Sequence, residues 1–232
     1  LSALINVAIN DHHYGAIQAL TSCHLTIYPK DMIAIVGPNG GGKSTLMKLL
    51  AGLFDPTQGS VRRQNLRPQD IAYLAQRTEI DRTFPLKVED VIAMGLWPKT
   101  GGCYRLGPQE REELLDILDK VGLKGFAKRS ISQLSGGQLQ RLFFGRVMAQ
   151  DAKLILLDEP FTGIDQPTVN DLISLVHQWH AQGRTIIAVL HDISLVRKMF
   201  PLAALVARSL IAYGQTEHVL TPENLTMAAF NV

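Results

Sequence analysis

The chain of 232 residues carries 23 Lys and Arg against 21 Asp and Glu, a formal charge of +2, and 46% of its residues are hydrophobic. That hydrophobic share supports the core of one large domain, or a core with a subdomain, and excludes a disordered tail. The near balance of charge excludes a global attraction for nucleic acid or anionic lipid, so no nucleic-acid partner is expected.

The chain opens LSALINVAIND, with no basic segment followed by a long apolar run, so no signal peptide is expected. Residues 6–9 and 25–28 alternate like antiparallel strands, and DHHYG (residues 11–15) reads as a turn. Asp11, His12 and His13 are read as turn residues rather than metal ligands, because adjacent turn histidines rarely converge on one ion. Cys23 and Cys103 are far apart and lack metal-ligand spacing; they fit a reducing compartment, with Cys103 a free thiol in KTGGCY.

The apolar run from Ile33 to Val36 predicts a strand buried on both faces of a parallel sheet. It leads into Gly37-Pro38-Asn39-Gly40-Gly41-Gly42-Lys43-Ser44-Thr45, which fits the phosphate-loop pattern G-x-x-x-x-G-K-[ST]. Glycines there let consecutive N–H groups ring a phosphate, and a helix predicted over 44–53 adds its positive end. Lys43 is placed to neutralise the β- and γ-phosphates, and Ser44 to put its hydroxyl on Mg²⁺.

The stretch 84–150 departs from this pattern. Helices are predicted over 88–96, 108–121 and 137–148 with no clear strand between them, so a helical subdomain (about 84–150) interrupts a core of about 1–83 and 151–232. Within it, Leu134-Ser135-Gly136-Gly137-Gln138 precedes a helix, with Ser135 a good N-cap and two glycines leaving N–H groups open. This is a second helix start suited to a phosphate.

Strand grammar returns at Leu154-Ile155-Leu156-Leu157, which delivers Asp158 and Glu159 to the edge where α/β sheets bind ligands. Asp158 is placed to hold the Mg²⁺ shell and Glu159 to act as general base or to orient water. A helix over 168–182 and a strand over 185–191 follow, ending at His191; His177 and His180 read as surface or packing residues. The fold class is therefore α/β: a P-loop nucleotide hydrolase core with a mainly parallel sheet, antiparallel N-terminal strands and an inserted helical subdomain. The apolar stretches are too short to cross a bilayer, and Arg208 interrupts 201–214, so any membrane span must come from another chain.

Together the phosphate loop, LSGGQ and DEP make the chain resemble the nucleotide-binding subunits of ABC transporters. The resemblance covers almost the whole chain in the family's order. It implies that Tyr14 stacks on adenine, against the alternative of a surface aromatic. It implies that Gln76 contacts Mg²⁺ and senses the membrane partner, against a solvent-facing glutamine. Asp165 matches the D-loop, with Ile164 where leucine is more frequent, and His191 matches the switch histidine that contacts the γ-phosphate. The family further implies a homodimer in which Ser135 to Gln138 of one copy closes over ATP on the other. It also implies permease subunits docking near Gln76 to Gly95, an extracellular substrate-binding protein, and a place on the cytoplasmic face of the membrane. RTEIDRTFPLKVEDVIAMG, EPFTGID and VLTPENL are similar to ATPases of zinc, manganese or iron uptake systems. An importer of iron chelates, haem or cobalamin is the alternative. A soluble ABC ATPase is a remoter one, since such proteins carry two cassettes or a long insertion.

Overall fold

The computed structural model describes residues 2–76, 85–100 and 106–230. In chain order they hold β1 (Ile5–Tyr14), β2 (Ile17–Ile27), β3 (Met32–Val36), α1 (Lys43–Ala51), β4 (Gln58–Arg63), β5 (Ile71–Leu74), α2 (Val88–Thr100), α3 (Pro108–Lys120), α4 (Gly136–Gln150), β6 (Leu154–Asp158), α5 (Gln166–Ala181), β7 (Thr185–Val189), α6 (Ile193–Met199), β8 (Leu202–Ala207), β9 (Ser209–Gln215), α7 (Thr216–Val219) and α8 (Pro222–Phe230).

Among the described residues the strands form two sheets. One is antiparallel, in the order β2-β1-β4; the other runs β5-β6-β7-β3-β8-β9 and is parallel except for its last pair. Every residue of β3, β6 and β7 is buried, which is why their sequences are unbroken apolar runs. Side chains alternate across the larger sheet. Ala34, Val36, Ile155 and Leu157 face a core shared with α2, α3, α4 and α5, while Ile33, Ile35, Leu154 and Leu156 face α1 and the antiparallel sheet. The molecule is thus layered as helices, parallel sheet, then α1 with the antiparallel sheet.

In the helical layer α2 and α4 approach closely through glycine. A Cβ on Gly95 would lie 2.3 Å from the Arg146 carbonyl oxygen, and one on Gly145 would lie 2.5 Å from Ile92 Cδ1. The same α4 also finishes the sheet edge. Arg146 donates to the Tyr73 carbonyl at 2.7 Å and Gln150 to the Ile71 carbonyl at 2.7 Å, so side chains satisfy acceptors of β5 that no further strand among the described residues reaches.

Residues 11–15 differ from the expected turn. Asp11 to Tyr14 continue β1, and the chain reverses only at Gly15, whose φ is 59°. The reason is packing from a distance: His12 is buried against Phe54, ring centroids 5.4 Å apart and 2° from parallel, with Tyr14 edge-on at 5.0 Å. His13 turns the other way and pairs with Asp11 at 2.7 Å, which draws the Asp11 carboxyl below its usual range. The segment 201–214 is the β8–β9 hairpin, with Arg208 in left-handed conformation at the turn (φ 57°). Cys103 lies outside the described residues.

Candidate functional site

The site lies at the C-terminal edge of the parallel strands, where β3, β6 and β7 each deliver one part of it. β3 ends in the phosphate loop. A Cβ on Gly37 would sit 1.9 Å from the Val206 carbonyl oxygen, and one on Gly42 would sit 2.5 Å from the Ala19 carbonyl oxygen, so β8 and β2 press on the loop from two sides. The Arg208 N–H donates to the Gly41 carbonyl at 2.8 Å, and the Thr21 N–H donates to the Arg208 carbonyl at 2.6 Å. The hairpin turn is therefore bonded to both the loop and β2.

Helix α1 starts at Lys43 behind a left-handed Gly42 that offers no side-chain cap. The starts of α4, α5 and α6 differ: Ser135, Asp165 and Asp192 each accept a backbone N–H of the first turn. The first-turn amides of α1 are thus left for an anion, in the arrangement that binds phosphates. Lys43 is 5% exposed and its Nζ donates to the Gly37 carbonyl at 3.0 Å and the Pro38 carbonyl at 2.7 Å. Burial pushes its pKa down, and the charges of Glu159 and Asp158 draw it back up.

β6 ends at Asp158, which is 2% exposed. The Ser44 hydroxyl donates to its Oδ1 at 3.2 Å and the Tyr73 hydroxyl to its Oδ2 at 3.2 Å. This union of hydroxyl and carboxylate oxygens is a hard donor set that fits Mg²⁺. Glu159 follows in left-handed conformation (φ 50°). Its Oε2 accepts from Gln76 Nε2 at 2.9 Å, and its Oε1 lies 2.7 Å from His191 Nε2. Gln76 spends its amide nitrogen on Glu159, so its Oε1 is the atom it can offer a cation. β7 lies between β6 and β3, which is why His191 emerges between the carboxylates and the loop.

Gly42, Lys43, Ser44, Gln76, Glu159 and His191 border a cleft of about 660 Å³ that also takes in Tyr14, Asn39, Gly40 and Thr45, while the buried Asp158 is joined to it through Ser44. Five bordering residues are not among those expected from the sequence: Ile17, Gln18 and Ala19 on β2, Thr162 after Glu159, and Arg208. In the sequence the last shows only as the charge that interrupts the apolar stretch 201–214. Ser135 to Gln138 and Asp165 border a different surface. Ser135 Oγ accepts the Gln138 N–H at 3.2 Å while Gln138 Oε1 accepts the Ser135 N–H at 3.0 Å, a capping box. A Cβ on Gly137 would lie 3.1 Å from Asp165 Oδ1 and 3.2 Å from Thr168 Oγ1, so this glycine has a packing reason within the chain. Asp165 itself accepts from the Thr168 N–H at 3.1 Å and hydroxyl at 3.1 Å, which lowers its carboxyl pKa.

The family model for "ABC transporter" matches residues 20–162. The chain belongs to the ABC transporter family. It is an ATP-binding cassette that hydrolyses ATP. The manganese transport system ATP-binding protein MntB of Listeria monocytogenes is 40% identical over 90% of this chain and 89% of its own length. MntB of Bacillus subtilis is 36% identical over 96% of this chain and 89% of its own. Among solved structures, an ABC transporter in an inward-facing conformation superposes with a TM-score of 0.83 at 27% identity, over 99% of this chain and 90% of the other. A dimeric, post-hydrolysis ATP-binding cassette bound to ADP and Pi superposes with a TM-score of 0.81 at 25% identity, over 91% and 98%. No helix among the described residues of this cassette is long and apolar enough to cross a membrane.

Proposed function

We propose that the cleft holds ATP and Mg²⁺ and that its hydrolysis drives import of a divalent metal, with manganese ahead of zinc and iron. The observation that carries the hydrolytic reading is the Glu159 carboxylate, gripped between Gln76 and His191 beside the phosphate loop. In this reading Tyr14 stacks on adenine and the amides from Gly37 to Thr45 surround the phosphates. Lys43 releases the loop carbonyls to meet the β- and γ-phosphates. Glu159 orients a water for in-line attack on the γ-phosphorus and takes its proton, while Lys43 and His191 stabilise charge on the transferred group. Mg²⁺, held by Ser44, Asp158 and Gln76, would supply charge neutralisation on the phosphate oxygens.

The division into a core (1–83, 151–232) and a helical subdomain (84–150) belongs to the same proposal. So does permease docking near Gln76 to Gly95, of which 77–84 lies outside the described residues. An extracellular substrate-binding protein completes the system, and the cassette sits on the cytoplasmic face of the membrane through the permease. Manganese is favoured because the relatives named above, at 36–40% identity, are ATP-binding proteins of manganese transport systems. Deleting the gene should lower cellular manganese, or zinc or iron, under scarcity, measured by elemental analysis of starved cells. Unchanged metal content with a defect in haem or cobalamin uptake would move the reading to the chelate importers.

The second surface, Ser135 to Gln138 with Asp165, fits closure over ATP on another copy in a two-fold homodimer. Ser135→Arg should leave ATP binding to the isolated chain nearly intact, because Ser135 does not border the cleft. Loss of its cap costs the helix about 1 kcal/mol. The same change should abolish ATP-driven dimerisation of the Glu159→Gln variant, followed by light scattering. Dimerisation at full strength in the double variant would refute the composite site.

A further inference from the structure

We infer that Gln140 is a positioning residue for Glu159, holding the backbone at the base from the helix that LSGGQ begins. Gln140 lies on α4 and is 1% exposed. Its Nε2 donates to the Pro160 carbonyl at 2.7 Å, and its Oε1 is buried without a partner among the described residues. The carbonyl can only accept, so the amide orientation is set. A methionine would fill similar space without burying an unpaired oxygen, and burying one costs stability. What glutamine adds at this position is the grip on Pro160.

That grip falls where the backbone most needs one. Glu159 is held left-handed at φ 50°, a conformation that residues other than glycine keep only where their surroundings impose it. Two bonds bracket it. The Thr162 N–H donates to the Glu159 carbonyl at 3.3 Å, and Gln140 holds the next carbonyl. Pro160 has no N–H, so its carbonyl is its only backbone handle. Released from Gln140, Glu159 can relax toward ordinary φ, which swings its carboxylate away from Gln76 and His191. Gln140 touches no substrate; it acts through Glu159.

The inference rests on Glu159 being the base, and the test separates the two. In the purified full chain, Gln140→Met should lower kcat about tenfold, leave KM for ATP within twofold, and leave the melting temperature unlowered. In a Glu159→Gln background the same change should alter the residual rate less than twofold, because a residue acting through the base has nothing left to position. Gln140→Leu serves if the methionine variant does not fold. A tenfold loss in both backgrounds, or kcat within twofold of the unaltered chain while Glu159→Gln is slow, overturns the role of Gln140. Normal hydrolysis by Glu159→Gln overturns the base itself.

Discussion

Glu159→Gln hydrolyses ATP at least about 100-fold more slowly than the unaltered chain and binds it normally. The amide keeps the shape of the carboxylate and can keep both of its partners. Its oxygen can still accept from Gln76, and its NH₂ can donate to His191 Nε2 once the histidine carries its proton on Nδ1. What is lost is the charge that orients water and accepts its proton, a loss of about 2.7 kcal/mol of transition-state stabilisation. Steady-state phosphate release and equilibrium nucleotide binding measure the two halves. Hydrolysis within a factor of two of the unaltered rate would remove Glu159 from the mechanism.

Lys43→Ala is expected to weaken ATP binding and to lower turnover by about 100-fold or more, as when one preorganised donor is removed from a charged transition state. The structure adds a reason for the binding loss. The ammonium bridges the Gly37 and Pro38 carbonyls, so the alanine chain loses a clasp that orders the loop as well as a phosphate cation. Titration with ATP and with ADP tests this: the loss should be greater for ATP, whose γ-phosphate relies on the lysine. A variant that binds and hydrolyses ATP normally would overturn the reading of Gly37 to Ser44.

Much of the fold is local in its signals and was legible for that reason. Runs such as LILLD and TIIAV suit a strand buried on both faces, and the helix after Lys43 stops at a left-handed Gly52. The edge strands were not legible. β4 buries only Val61, and β5 is four residues long with carbonyls satisfied by Arg146 and Gln150, more than 70 positions away. The reading of DHHYG as a turn failed for a similar reason, since Phe54 makes His12 a strand residue. The candidate site residues are recognisable one by one, but not their mutual geometry. The His191–Glu159 contact exists because β7 inserts between β6 and β3, an order no local pattern records.

That strand order also governs when the chain can take shape during synthesis. β3 pairs with β7 and β8 and with no strand made before it, and about 150 further residues separate it from Thr185. At the ribosome's pace this leaves its apolar edges unpaired for on the order of ten seconds. Gly37 waits for the Val206 carbonyl and Gly41 for the Arg208 amide, so the phosphate loop is among the last parts to acquire support. Nucleotide can then stabilise only the finished chain, by mass action on the native state. Until β8 is out, the partners that complete the central sheet are missing, and pairings so far apart in sequence form slowly.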